Sequence, residues 1–176
     1  MMAALIGSML DERAGPGAAV VSSAGFGPPD IPAISDAVDA MRRRGLDVSG
    51  HRSRQANAEI VRPADLILTA EREHVIRIAS IEPAAFRRTM TLPEFLALAS
   101  RADEAHDEQT LPWALRLTAN RTAQAYLRDP IEEIDDPTGL PTRAFESAVV
   151  ALEAQCSMAA NLLARALHPT ARTRPP

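Results

Sequence analysis

Lysine is absent: all 19 basic residues of the 176-residue chain are arginine. Selection for bidentate anion contacts does not account for so complete an absence, and the codon bias of a GC-rich genome is the simpler reading. Cysteine occurs once, at Cys156. That excludes internal disulfides and cysteine zinc clusters, and it fits a reducing cytoplasm. There is no run of 18 or more apolar residues, so no membrane partner is expected. The basic and apolar regions of a signal peptide are also lacking. A net charge of −4 argues against a nucleic-acid partner.

What is present is the composition of a globular domain, 46% apolar and 24% charged. The length suits one domain with a sizeable core. Residues 1–13 read as a helix with Leu5, Met9 and Leu10 as its apolar stripe, closed by Gly15-Pro16-Gly17. No Ser, Thr, Asp or Asn stands before it as a cap. Residues 18–25 form a β-branched run ending in small residues and predict a buried strand. Asp30 is a candidate cap for a helix with Pro32 in its first turn, Ile34, Val38 and Met41 on one stripe, and Gly45 just past its end. Residues 46–55 are a polar loop. Asn57 caps a short helix that Pro63 ends.

A second buried strand is predicted at 65–69, then a helix at 71–81 with His74, Ile78 and Ile81 on one stripe. A weaker strand follows at 86–91. Thr91-Leu92-Pro93-Glu94 is a capping box that opens a helix to Ser100. Residues 101–109 read as a solvated connection and 111–128 as one helix. An acidic loop with prolines and a glycine occupies 129–139. In the last helix, Phe145, Val149, Leu152, Cys156, Ala159, Leu163 and Ala166 alternate steps of four and three, which aligns one face on the core. Residues 169–176 read as a disordered tail, after a domain spanning 1–168. Alternating strands and helices imply an α/β fold with a parallel sheet between helix layers.

Four stretches in register carry a family resemblance: Ser22-Ser23-Ala24-Gly25, Ser49-Gly50-His51-Arg52-Ser53-Arg54-Gln55, the passage from Ala64-Asp65-Leu66-Ile67-Leu68 to Glu71-Arg72-Glu73-His74, and Asp136-Pro137. Together they resemble the low-molecular-weight protein-tyrosine phosphatases from Met2 to about Leu167. The segment 101–128 is atypical of the family. The resemblance implies a flavodoxin-like, three-layer parallel sheet. It implies hydrolysis of a phosphotyrosine monoester through a cysteinyl-phosphate, on a phosphotyrosine protein or small aryl phosphate, without cofactor or metal. The family's nucleophile and arginine lie in a Cys-x5-Arg loop between the first strand and a helix that starts Met-Ala. Met2-Ala3-Ala4-Leu5 resembles that helix start. The expectation is therefore that the first, central strand and the phosphate loop precede residue 1, and that the chain as it stands is inactive.

By the same resemblance Asp136 is the general acid, and Ser49 and His51 belong to a loop that supports the phosphate loop from behind. Without it, Asp136 reads as a turn residue and His51 as an exposed loop histidine. Asp135 and Glu133 are neighbouring carboxylates that either replace or perturb the acid. Thr138 stands where the family usually has an aromatic ring. Cys156 sits mid-helix with Leu162 at the position an arginine would need, so it reads as a core thiol. A lone cysteine also disfavours the related arsenate reductases, a weaker alternative, because they relay a disulfide. Neighbouring strands lie about 4.8 Å apart, so strands flanking a missing one cannot pair directly. An exposed sheet edge and self-association through it are expected. A non-catalytic pseudophosphatase or binding module is the alternative to the enzyme.

Overall fold

The computed structural model describes residues 1–101 and 110–167, with Thr110 and Leu111 as backbone only. The expected connection at 101–109 and the expected tail lie almost wholly outside the described residues. Helix α1, Met2–Ala14, buries Leu5, Ile6 and Leu10, and Met9 packs partly against the same core. Its first turn has no side-chain cap, as the sequence suggests.

The predicted strand at 18–25 does not form. Its backbone makes one isolated parallel bridge, Gly25 to Gln55. Val20 is 99% exposed. A β-branched run becomes a strand when a neighbour takes its N–H and C=O groups and covers its side chains. Among the described residues no strand pairs with 18–24: the Ser23 carbonyl takes the Arg54 side chain instead, and Ala19 alone of the run packs against the core.

The second helix also starts later than predicted. Helix α2 is Ser35–Arg42, and Asp30 to Pro32 belong instead to a loop held by Ser53. Asp30 has a φ of 62°, and Pro32 bridges Arg52. The buried face is Ala37, Ala40 and Met41, whereas Ile34 is exposed. Gly45 closes the helix in the left-handed region with φ 75°, and the Leu46 N–H reaches back to the Met41 carbonyl. Asn57 caps α3, Ala58–Val61, accepting from the Ile60 N–H.

Strand β1, Ile67–Thr69, pairs in parallel with β2, Thr89–Thr91, in the register Ile67–Thr89, Leu68–Met90, Thr69–Thr91. Helix α4, Arg72–Ile81, connects them and buries Val75 and Ile78. His74 lies off that face, half-buried and stacked on Phe26 at 5.3 Å. Residues Pro83–Arg88 wind into a 3₁₀ turn that takes the start of the predicted strand at 86–91. The sheet of the described residues therefore has two strands, not the broader three-layer sheet expected.

The capping box forms as predicted. The Thr91 side chain accepts from the Glu94 N–H and Glu94 reaches back, opening α5, Leu92–Ala99. The single helix predicted over 111–128 is two, α6, Thr110–Leu117, and α7, Ala123–Arg128. Thr118 interrupts it by donating to the Arg87 carbonyl at 2.5 Å, and Thr122 caps the second helix by accepting from the Ala125 N–H.

Helix α8, Thr142–Leu167, buries all seven residues of the predicted stripe, and Ala160 with them. Its length and mean hydropathy of 1.3 meet the minimum for a membrane span, but the stripe faces the core formed with α1, α2, β2, α5 and α6. Arg44 ties α2 to α8 through Glu146 at 2.9 Å and Glu153 at 2.7 Å. Trp113 of α6 meets Phe95 edge-on at 5.4 Å.

Candidate functional site

The acidic loop at 129–139 lies across the carboxyl ends of both strands. The Ile134 N–H donates to the carbonyl of Ala70, just past β1, at 3.0 Å. The Thr91 hydroxyl, at the end of β2, donates to the Glu132 carbonyl at 2.8 Å. The Arg72 backbone N–H donates to Glu133 Oε1 at 2.5 Å. Open α/β sheets bind ligands outside the carboxyl ends of their strands, so the loop sits where such a fold does chemistry.

Asp136 is exposed on this loop. Its Oδ1 accepts from the Thr138 N–H at 3.0 Å and the Thr138 hydroxyl at 2.7 Å, the self-bonding turn that Asp favours. Pro137 and Gly139, with φ 82°, set the bend. Oδ2 takes no hydrogen bond among the described residues. One oxygen is thus fixed and the other open. Glu133, one of the two neighbouring carboxylates, is committed to Arg72. Asp135 is exposed.

Ser49 and His51 lie on a different loop. The Ser49 N–H donates to Asp47 Oδ1 at 2.8 Å. The Ser49 hydroxyl and N–H, with Arg42 beyond them, hold the exposed Asp47 carboxyl below its ordinary value. His51 is exposed and donates its N–H to the Val48 carbonyl at 3.0 Å. Among the described residues no hydrogen bond or ion pair joins either to Asp136. This loop is instead knitted to residues 22–32. Arg54 Nε and Nη2 donate to the Ser23 carbonyl at 3.1 and 2.8 Å. The Ser53 hydroxyl donates to the Pro28 carbonyl at 2.7 Å and accepts from the Ile31 N–H at 2.9 Å. Arg54 is a staple between loops here.

Cys156 is buried in α8. Burial, with Glu153 adding to it against the Met1 amino group, pushes its thiol up to about 12. That is the environment of a core thiol and not of an activated one. Among the described residues no group of three or more His, Cys, Asp and Glu is placed to hold a metal ion.

Two features had no sequence signal. Arg72 Nη1 donates to the Asp129 carbonyl at 3.0 Å, and Nη2 donates to the Tyr126 carbonyl. Arg121, with a side chain 8% exposed, pairs with Glu94, 12% exposed, at 3.3 Å. Arg121 also donates to the Phe86 and Thr89 carbonyls at 3.0 and 2.6 Å and lies 4.4 and 4.0 Å from the Phe86 and Tyr126 ring centres. The Tyr126 hydroxyl is buried without a hydrogen-bond partner among the described residues. Burial and Glu94, against Arg121 and Arg72, push it up to about 12. Two arginines scattered among seventeen others carry no spacing that marks them.

The family model described as low molecular weight phosphotyrosine protein phosphatase matches residues 1–108. That is more than half of the chain, and the chain belongs to this family. Among its curated relatives is the low molecular weight protein-tyrosine-phosphatase Etp of Escherichia coli K12, 34% identical over 91 residues. The match takes in 52% of this chain and 62% of Etp, so the chain spans less than two thirds of that relative's length. Among solved structures, a mutant of YwlE from Bacillus subtilis superposes with a TM-score of 0.64 at 23% identity, over 92% of this chain and 87% of that one. The low molecular weight protein tyrosine phosphatase of T. tengcongensis gives 0.65 at 20%, over 91% and 87%. These likenesses establish the α/β, flavodoxin-like fold of the family.

Proposed function

We propose that residues 1–168 form a phosphatase-like domain that carries the acid half of a phosphotyrosine-monoester hydrolase and not its nucleophilic half. The observation that carries this reading is the 129–139 loop docked across the strand ends, with one Asp136 oxygen fixed by Thr138 and the other open. A carboxylic acid there protonates the departing tyrosine oxygen as the P–O bond breaks. The step also needs a low-pKa thiolate and a cradle of N–H groups with a bidentate arginine. The chain's one thiol, Cys156, is buried and held protonated. We therefore read the chain as it stands as inactive, its turnover depending on a Cys-x5-Arg loop that these 176 residues do not carry. Ser49 and His51 then support that loop from behind. The substrate class is a phosphotyrosine protein or small aryl phosphate. Thr138 in place of an aromatic ring weakens its grip on an aryl group. The family's reaction and the reducing state implied by a lone thiol favour the cytoplasm.

The test compares this chain with one extended by the in-frame codons upstream of Met1, on p-nitrophenyl phosphate. The expected result is no turnover from the 176-residue chain and turnover from the extended one, reduced about 100-fold or more by Asp136→Asn. Turnover by the 176-residue chain that survives both Asp136→Asn and Cys156→Ser refutes the mechanism. In-frame stop codons directly upstream refute the enzyme reading in favour of a non-catalytic binding module.

A further inference from the structure

The acidic loop is held at several points, and they are not equivalent. Thr91 and Ala70 hold its middle, at Glu132 and Ile134. Arg72 reaches the start of the held span and, between the Glu132 and Ile134 contacts, its middle. Its guanidinium binds the Tyr126 and Asp129 carbonyls, and its backbone N–H binds Glu133. The Tyr126 carbonyl belongs to the last turn of α7, where helix carbonyls lack intrahelical donors and favour a cation. The guanidinium also lies 5.3 Å from the Tyr126 ring centre. Beyond Ile134 the loop makes no hydrogen bond outside itself among the described residues until α8. The place of Asp136 therefore follows from where its stem is pinned.

We propose that Arg72 is the positioning residue of the acidic loop, clamping its stem to the first turn of α4 so that Asp136 projects from a fixed platform. The inference rests on the reading of Asp136 as the acid. A lysine cannot replace the clamp, because an ammonium is a point donor on a flexible stem and the two carbonyls need a fork. A role confined to capping α7 would leave the middle of the loop in place when the guanidinium is lost. A clamp would release it.

Amide hydrogen exchange on the 176-residue chain separates the two. Arg72→Gln should speed exchange of the Ile134 N–H about tenfold or more, since hydrogen bonds to a charged group stabilise by well over 1 kcal/mol. Arg72→Lys should fall between. Exchange at Val149 and Leu152 of α8 should not change. Unchanged exchange at Ile134, or equal acceleration at Ile134 and α8, overturns the proposal. If Arg72→Gln does not fold, Arg72→Lys carries the test, since it keeps the charge and loses the fork. It should still accelerate Ile134 and leave Val149 and Leu152 unchanged, and no acceleration at Ile134 overturns the clamp. The outcomes separate from those for the acid itself. Lost turnover in extended Asp136→Asn with unaltered exchange in Arg72→Gln sinks this inference only. Faster exchange in Arg72→Gln with full turnover in extended Asp136→Asn sinks the acid reading only.

Discussion

Arg121→Ala is the perturbation that tests the packing logic beneath the site. The guanidinium bonds two backbone carbonyls, at 3.0 and 2.6 Å, and pairs with Glu94 at the longer distance of 3.3 Å. Truncation leaves a buried carboxylate unpaired and two carbonyls without their donor. Breaking a buried pair from one side destabilises by about 3–5 kcal/mol, which in a domain of this size lowers Tm by about 10 °C. Glu94→Gln should be milder, about 1–2 kcal/mol, because Gln keeps the capping box and the carbonyl bonds remain. The pH dependence has a definite sign. Burial raises the Glu94 carboxyl above its ordinary 4.5, opposed by Arg121, the Thr91 N–H and Arg72. The folded state therefore holds that proton more tightly than the unfolded one. Glu94's contribution is fully present below 4.5 and is lost as pH rises through its folded value. Removing Arg121 takes away the largest opposing influence and raises the folded value further. The penalty of Arg121→Ala should thus grow with pH from about 4.5 upward. Urea unfolding followed by Trp113, the only tryptophan, reads all of this. Equal losses from Arg121→Ala and Glu94→Gln would show that the ion pair, not the carbonyl bonds, dominates, and a loss of Arg121→Ala that shrinks with pH would refute the sign.

Cys156 should resist alkylation in the native protein at pH 8 and react fully in guanidinium; ready native alkylation would refute its burial. Its thiol and the Tyr126 hydroxyl are both held above their ordinary values of 9.0 and 10.0, at about 12. Both contributions to stability are present below those ordinary values and are lost as pH rises towards 12, so unfolding midpoints should fall across that alkaline range, and less in Cys156→Ala. Thr91→Val removes the α5 cap and the bond to Glu132, and should destabilise by about 1–3 kcal/mol in urea titration. Gly45→Ala places a Cβ where φ is 75° with nothing within 4 Å; backbone strain alone should cost about 1 kcal/mol, and no loss of midpoint would refute a left-handed Gly45.

The parts of the fold that were legible in the sequence are those whose signal is local or periodic. The α8 stripe, the Thr91–Glu94 capping box, the Asn57 cap and the Gly45 terminus each depend on residues within one or two turns. The errors share a different cause. Residues 18–25 have the side chains of a strand, yet a strand is a relation between two segments, and Val20 stays bare without the second. Asp30 is a sound cap by type, but Ser53, more than twenty residues away, takes its neighbourhood into a loop. Helix 111–128 breaks because Thr118 finds the Arg87 carbonyl, a partner remote in sequence.

The candidate site divides the same way. Asp136 is singled out by the family resemblance of Asp136-Pro137; from the residues alone it reads as a turn residue, and that turn forms. Its address on the molecule was not legible, because that is set by Ala70, Thr91 and Arg72, whose sequence carries no mark of the duty.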